Sequence, residues 1–566
     1  MRGERVFAGG EGLGDTLLLG CILIPAVTLW FGLNASSLWI DEIFTSFFAD
    51  PRVAELAGIL QRTAQDVHPP LYALSLHFFL QGLEVTPGAP AFDAAMRVFS
   101  LLSAVAALGI MFLGLSPFLS LRGRLFLVAF AAATQPLLLA ALDARSYAFS
   151  WVFSSLLLIS GLHLWKAMRD GEGWRTPALG VLLFGILGGF THYYGLMLAG
   201  AMLAVLLLLA RGWRERMIIV GIGLLILIPC GGYALWNMTQ IRVGLADHWM
   251  RNDWAFISEQ LSYLRVRFAG SYLGVLPIAF SVAVIGVAAL AGRRASEMGR
   301  HFMPLVIAAA SLFLLILFGL GVSYATVPSF TARSLLVALP FFWLCAALLY
   351  ELASLRLSAL ERPAFHALIA LFLLANLHIY LAIGQPVRDE WRRSAAYVEG
   401  LNQCAERDLP VAGFTGGQID EPEAPLFYGF YLQRNRGWRF LNVRKGSLSE
   451  GRIEGPWADA VMARGRGDDP CPLLLWSVHH LGWEDIDRVR RAIGEALRLE
   501  GQGEAADRLR ILQFTSFGFG DWGGVYRAER AFAIILSPRP GTGAPASSTP
   551  RAAYLQSEAL RRSISL

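Results

Sequence analysis

Charged side chains are scarce in this sequence. Asp, Glu, Lys and Arg make up 16% of its 566 residues, where an ordinary soluble chain carries about 25%. Hydrophobic residues account for 55% and mean hydropathy is +0.50. That composition excludes a soluble protein of this size and fits a polytopic membrane protein. The formal charge of +5 is no nucleic-acid footprint, because the basic residues fall in short loops, where the positive-inside bias puts them. Cysteine is thin as well, with five in the chain and no zinc-type spacing. Cys21, Cys230 and Cys345 lie in hydrophobic runs and read as packing residues. Cys404 and Cys471 lie in a polar C-terminal region and are candidates for a disulfide if that region is extracytoplasmic.

Hydropathy marks eleven spans, near 15–35, 96–119, 124–142, 147–166, 177–192, 194–210, 217–236, 272–291, 302–322, 333–353 and 364–384. Arg2 and Arg5 ahead of the first run resemble a signal sequence. The run is long enough to span, however, and an acidic pair follows it directly, so it reads as an uncleaved first helix. The stretch 177–210 is too long for one helix. Basic clusters at Lys166, Arg169 and Arg175 before it, and at Arg211, Arg214 and Arg216 after it, require an even number of crossings. Two short helices broken at Thr191-His192-Tyr193-Tyr194-Gly195 satisfy that. Eleven spans place the N-terminus in the cytoplasm and the C-terminal region outside. The one exception is the long loop 237–270, whose arginines are partly balanced by Asp247, Asp253 and Glu259.

Beyond residue 384 charge becomes denser. Short apolar runs at 410–414, 473–478 and 532–537 alternate with helical patterns at 391–401 and 484–499. Residues 385–538 therefore read as a small extracytoplasmic α/β domain. Residues 539–566 have the composition of a disordered tail.

The chain is organised around residues 37–83, within a first outer loop of about 36–95. Trp39 suits a membrane interface, and Asp41 and Glu42 follow it at once. His68 precedes Pro69-Pro70, which can open a helix at its first turn. The apolar run 71–83 is too short to span roughly 30 Å of hydrocarbon. It reads as a helix lying along the surface, or partly re-entrant, that roofs a site. Taken alone, the acidic pair is also what a solvated helix cap looks like, and His-Pro-Pro what a plain turn looks like.

Four further polar sets fall on the same face: Asp143-Ala144-Arg145-Ser146-Tyr147, Thr191-His192-Tyr193-Tyr194, Pro328-Ser329-Phe330-Thr331-Ala332-Arg333, and Arg388-Asp389-Glu390-Trp391-Arg392-Arg393. Each has a plain alternative: an ion-paired turn, an aromatic girdle, a snorkelling arginine, the solvated face of a soluble helix. Their convergence on one face points to a functional cavity. The chemistry they suit is transfer from a phosphate-linked donor. Arg145, Arg333, His68 and His192 can hold phosphate oxygens and stabilise charge on a departing phosphate. A carboxylate can take the acceptor hydroxyl's proton, with Asp41 the first candidate and Glu42 the second. Asp143 is a second acid, a metal ligand, or the group that orients the acceptor. Tyr72, Tyr147, Tyr193, Tyr194, Trp391 and Arg392 are substrate-binding candidates.

The ordered set Trp39-Ile40-Asp41-Glu42, His68-Pro69-Pro70-Leu71-Tyr72, Arg97, Asp143-Ala144-Arg145-Ser146-Tyr147, Thr191-His192-Tyr193-Tyr194-Gly195, Arg333 and Trp391-Arg392 resembles the GT-C superfamily of polyprenyl-phosphate-sugar glycosyltransferases. The branch is that of bacterial relatives of protein O-mannosyltransferases and the lipid A aminoarabinose transferase. The resemblance covers roughly 15–400. It implies a GT-C-like transmembrane catalytic domain over 1–384 in the bacterial inner membrane, acting on cell-envelope glycan or lipopolysaccharide. The reaction it implies is an inverting transfer at the extracytoplasmic face, from a polyprenyl-phosphate sugar to a glycan, lipid or protein. The family's two acidic positions map to Asp41 and Asp143, and some relatives bind a divalent metal near them. Two departures keep the sugar open: His68 stands where the aminoarabinose branch often has Lys, and Ser334 follows Arg333 where relatives often have Tyr. The competing reading is a non-enzymatic transporter or flippase of a lipid-linked sugar. Its ionisable groups would sit at mid-bilayer, often in two related halves, whereas these gather at one interface and no internal repeat is evident.

Overall fold

The computed structural model describes residues 12–537, except 65, 172, 240, 243–249, 270, 292–297, 382–388, 400–407, 413–425, 433–438, 444–455, 467–472, 479–482 and 520–524. The chain divides into two compact units. The first holds the described residues of 12–35, 44–386 and 518–526; the second holds those of 36–43, 387–517 and 527–537.

The helices up to residue 236 are α1 (Gly12–Gly32), α2 (Ile40–Phe48), α3 (Leu56–Thr63), α4 (Leu71–Gly82), α5 (Phe92–Gly114), α6 (Leu121–Ala132), α7 (Gln135–Ala141), α8 (Ser146–Asp170), α9 (Arg175–Thr191), α10 (Tyr193–Leu209) and α11 (Trp213–Trp236). Helices Trp254–Ala269, Tyr272–Leu290, Met298–Ala325, Leu339–Arg356 and Glu361–Leu381 follow, with a 3-10 turn at Ser334–Ala338. Among the described residues, seven helices are long and apolar enough to cross a membrane, and α6 with α7 makes an eighth as a bent pair. The protein is a multi-pass membrane protein. Those eight are fewer than the eleven spans expected: the fifth and sixth fall on the shorter, 17-residue apolar helices α9 and α10 and the eleventh on Glu361–Leu381, none of which is among the eight. The 71–83 run is the 12-residue α4, as its length requires.

Two breaks shape the first unit. The third span bends by 66° between α6 and α7, where Thr134 is extended and Pro136 opens α7. A bend inside an apolar region frees backbone groups that must find partners in the protein. Here the Ala133 carbonyl accepts from Asn376 Nδ2 at 2.5 Å. The second break is at His192, whose φ of −159° and ψ of 135° end α9 and start α10. Its Nδ1 accepts from the Tyr194 N–H at 3.1 Å, so the imidazole caps α10 in the way a Ser or Asp oxygen commonly does. Gly195 is required next to it, because a Cβ there would collide with the Gly188 carbonyl.

The unit's core carries the indoles of Trp151 and Trp343, edge to face at 5.3 Å and fully buried. Trp151 Nε1 donates to the Leu336 carbonyl at 2.7 Å, which fixes the 3-10 turn against α8. Arg97, almost fully buried, donates to the Leu33 carbonyl at 3.2 Å. That satisfies a backbone acceptor at the C-terminal end of α1, where a cation is favoured.

A five-stranded sheet in the order β2-β1-β3-β5-β4 is built from β1 (Asp408–Ala412), β2 (Arg439–Val443), β3 (Leu473–Val478), β4 (Leu509–Phe519) and β5 (Val525–Leu536), and all of it but 518–519 and 525–526 belongs to the second unit. β1 runs parallel to β2 and β3, while β3 and β5 are antiparallel. Helix Trp483–Leu499 buries Ile486, Val489, Ile493 and Leu497, at helical spacing, in the core with Leu475, Phe532 and Ile534. Cys404 and Cys471 lie outside the described residues, as do Arg388 and the tail 539–566.

Candidate functional site

Within the first unit, four chain segments meet around a small cleft. Thr45 and Phe48 come from α2. Asp66, His68 and Pro69 precede α4, which adds Tyr72 and Ala73. Arg145 and Ser146 open α8, and Thr191 ends α9. The N-terminal turns of α4 and α8 therefore both line the cleft. Helix N-termini carry partial positive charge and unpaired N–H groups, so they favour an anion.

The polar side chains form a defined chain. His68 Nδ1 donates to Asp66 Oδ1 at 3.1 Å. The other ring nitrogen, Nε2, accepts from Arg145 Nη2 at 3.4 Å. Arg145 also donates through Nη1 to Thr45 Oγ1 at 3.5 Å. In the neutral form of the ring these contacts select one tautomer, with the proton on Nδ1 and the lone pair on Nε2. Asp66 is itself anchored, since Asn237 at the end of α11 donates Nδ2 to its carbonyl at 2.9 Å. Burial alone would raise the Asp66 carboxyl, but His68, Arg145 and the Val67 backbone hold it below the usual carboxylate range. The His192 ring lies 6.2 Å from that of His68 and 5.9 Å from that of Tyr147.

A second cluster pins the loop that carries Thr45 and His68. Asp50 accepts from Arg52 Nη2 at 2.8 Å and from the Arg52 backbone N–H at 3.0 Å. Arg62 stands 3.6 Å from Asp50 and donates to the Phe47 carbonyl at 3.0 Å. His77 Nδ1, from α4, donates to the Asp50 carbonyl at 3.0 Å. Burial opposes ionisation of Asp50, yet Arg52 and Arg62 together keep its carboxyl below the usual range.

Of the residues expected from sequence, the cleft brings together His68, Tyr72 and Arg145, with His192 and Tyr147 close by. Tyr194 hydroxyl donates to the Ser329 carbonyl at 3.1 Å, and Tyr193 opens α10 beside it. Arg333 immediately precedes the 3-10 turn, and its carbonyl accepts from the Leu336 N–H at 3.1 Å. Asp143 is buried in the turn before α8, and its carbonyl accepts from the Arg145 N–H at 2.7 Å.

Asp41, Glu42, Trp391 and Arg392 belong to the second unit. There Glu42 is fully buried, and its Oε2 accepts from the Trp39 N–H at 3.1 Å, a contact of the kind that a capping box makes. Ser37 Oγ donates to the Asp389 carbonyl, and the Leu38 N–H donates to the Tyr431 hydroxyl at 2.7 Å. Arg392 Nη2 donates to the Ser36 carbonyl at 3.4 Å. Trp391 is fully buried, its ring 5.1 Å from Tyr428 and 6.2 Å from Trp476; a place in an aromatic core accounts for that burial.

Two members of the hydrogen-bonded chain in the cleft, Asp66 and Thr45, are not among the sequence-based site candidates. The signal for Asp66 was its place two residues before His68. For a divalent metal, the cleft offers Asp66 and His68 beside the fixed positive charge of Arg145. Among the described residues no group of three His, Cys, Asp or Glu converges. That set suits an anion and does not suit a divalent cation.

Fold and cleft together define a multi-pass helical membrane protein with an anion-suited pocket and a small α/β unit. No protein-family model matches the chain, and no curated protein matches it. Among solved structures it is similar to ArnT from Cupriavidus metallidurans in the apo state, with 15% identity, 92% of this chain and 97% of that one covered, and a TM-score of 0.40. It is also similar to ArnT from the same organism bound to undecaprenyl phosphate, with 14% identity, 93% and 99% covered, and a TM-score of 0.39. ArnT is a lipid A aminoarabinose transferase.

Proposed function

We propose that this protein is a membrane glycosyltransferase that moves a sugar from a polyprenyl-phosphate carrier to a hydroxyl of a glycan, lipid or protein. The observation that supports this best is the Arg145–His68 pair at 3.4 Å, set where two helix N-terminal turns line one cleft. A phosphate there would accept from the guanidinium and the imidazole at once. In the proposed reaction the acceptor oxygen attacks the anomeric carbon from the face opposite the phosphate. The carbon–oxygen bond to phosphate breaks with inversion, and the phosphate leaves as an anion stabilised by Arg145, His68, His192 and Arg333. Asp41 takes the acceptor proton, with Glu42 as the second candidate. Asp143 orients the acceptor, and Tyr72, Tyr147, Tyr193 and Tyr194 bound the sugar. The proposed setting is the bacterial inner membrane, with the N-terminus cytoplasmic and the reaction on the outer face.

The test is a transfer assay on the full-length protein in nanodiscs with synthetic undecaprenyl-phosphate sugars. Wild type is expected to release undecaprenyl phosphate, and Asp41→Asn to bind donor without turnover. Full turnover by Asp41→Asn would remove that residue from the step. Movement of donor between leaflets without release of sugar would replace the transferase by a flippase.

A further inference from the structure

Asp66 had no part in the sequence-based site, yet it decides which nitrogen of His68 faces Arg145. Its carboxylate takes Nδ1–H at 3.1 Å, and its own backbone is tied to α11 by Asn237 at 2.9 Å. With Nδ1 so engaged, Nε2 is the nitrogen left to meet Arg145 Nη2 at 3.4 Å. In the neutral ring that nitrogen carries a lone pair, which suits a guanidinium and repels an anion. A phosphate oxygen arriving beside Arg145 needs a donor at Nε2, so the ring must gain a proton there. An imidazolium next to an arginine is unfavourable unless a counter-charge is at hand, and Asp66 is that counter-charge.

We propose that Asp66 is a positioning residue that converts His68 and Arg145 into a proton-coupled clamp for a phosphate monoester or diester. One proton is taken up at Nε2 as the anion enters and is given back as it leaves. The proton comes from solvent, no covalent bond changes, and the charge added to His68 is offset by the anion and by Asp66. The groups facing His68 are Asp66 on its own segment, Arg145 on α8, and the His192 ring 6.2 Å away at the head of α10. This inference rests on the phosphate-binding part of the proposed function but not on sugar transfer.

The experiment measures binding to the full-length protein in nanodiscs from about pH 5 to pH 8, the range in which histidine works as a switch. One arm uses undecaprenyl phosphate and the other inorganic phosphate. Because phosphate itself titrates near pH 6, the readout is the ratio of wild-type affinity to that of His68→Gln at each pH. That ratio is expected to fall as pH rises, and Asp66→Asn is expected to lower affinity about ten-fold at the acid end, the effect of losing one charge-assisted hydrogen bond. Relative to His68→Gln, the Asp66→Asn protein should show no pH dependence. A flat wild-type ratio, or an Asp66→Asn profile that matches wild type, overturns the proposal. If Asp66→Asn does not fold, the wild-type ratio alone decides. Binding of inorganic phosphate with the expected profile but none of undecaprenyl phosphate would keep the clamp and overturn the lipid-carrier reading. No binding in either arm overturns both.

Discussion

His68 meets Asp66 through one ring nitrogen at 3.1 Å and Arg145 through the other at 3.4 Å. One imidazole thus links an anion and a cation that the chain supplies from positions 66 and 145. The guanidinium is the permanently charged member of that chain, and it reaches Thr45 at 3.5 Å as well.

Removing Arg145 should therefore cost more than removing any neighbour. Arg145→Ala is expected to weaken undecaprenyl-phosphate binding by about ten- to a hundred-fold, the range for one hydrogen-bonded charge. Arg145→Lys should recover part of that loss, because an ammonium keeps the charge but not the planar fork. Titration of the lipid into the detergent-solubilised full-length variants measures both.

Acid should loosen the loop that carries the cleft. Asp50 has its folded carboxyl held below the usual range by Arg52 and Arg62. Its contribution to stability is thus present above the unfolded carboxyl value of about 3.9 and is lost as pH falls through the lower folded value. Asp66 is shifted in the same direction and adds to the effect. Melting temperature is expected to drop below about pH 4, and Asp50→Asn should flatten that drop and lower melting at neutral pH. Differential scanning fluorimetry across pH checks it.

Glu42 separates a capping role from an acid–base role. Its Oε2 accepts from the Trp39 N–H, and an amide oxygen can do the same. Glu42→Gln is expected to melt close to wild type, while Glu42→Ala loses about 1 kcal/mol or more, the cost of a lost helix cap. Equal losses in both would show that the charge, and not the acceptor, is what the second unit needs.

The break between α9 and α10 depends on a residue without a Cβ. Gly195→Ala would press on the Gly188 carbonyl, a backbone atom that cannot swing aside. The expected result is a loss of about 1–3 kcal/mol, typical of overpacking, with weaker lipid binding as His192 shifts. Thermal melting and the same lipid titration report the two effects.

The spans were legible because apolar runs long enough to cross hydrocarbon have few other uses. The 191–195 break was legible through charge parity on either side of it. The short helices α2 and α3 were not, since a helix of eight or nine residues leaves little periodic signal. β2 and β4 were missed for a related reason. Arg439-Phe440-Leu441-Asn442-Val443 is short and mixed, and Leu509–Phe519 does not alternate cleanly. At the site, His68, Tyr72 and Arg145 could be collected from motifs, because each sits at a helix start that hydropathy locates. Asp66 was missed although it stands two residues before His68, because the cleft it serves closes only where His68 meets Arg145, 77 residues on, and its anchor is Asn237, 171 residues away. The same limit applies to Asp41 and Glu42. Their segment joins the second unit through Ser37 and Asp389, which lie 352 residues apart, and no local pattern encodes that pairing.

The most direct measurement is mass spectrometry of the lipids that copurify with the full-length protein and with Arg145→Ala. A polyprenyl phosphate, or its sugar ester, is expected with the wild type and should be depleted in the variant. Bulk phospholipid alone in both preparations, with no uptake of added undecaprenyl phosphate, would contradict the account.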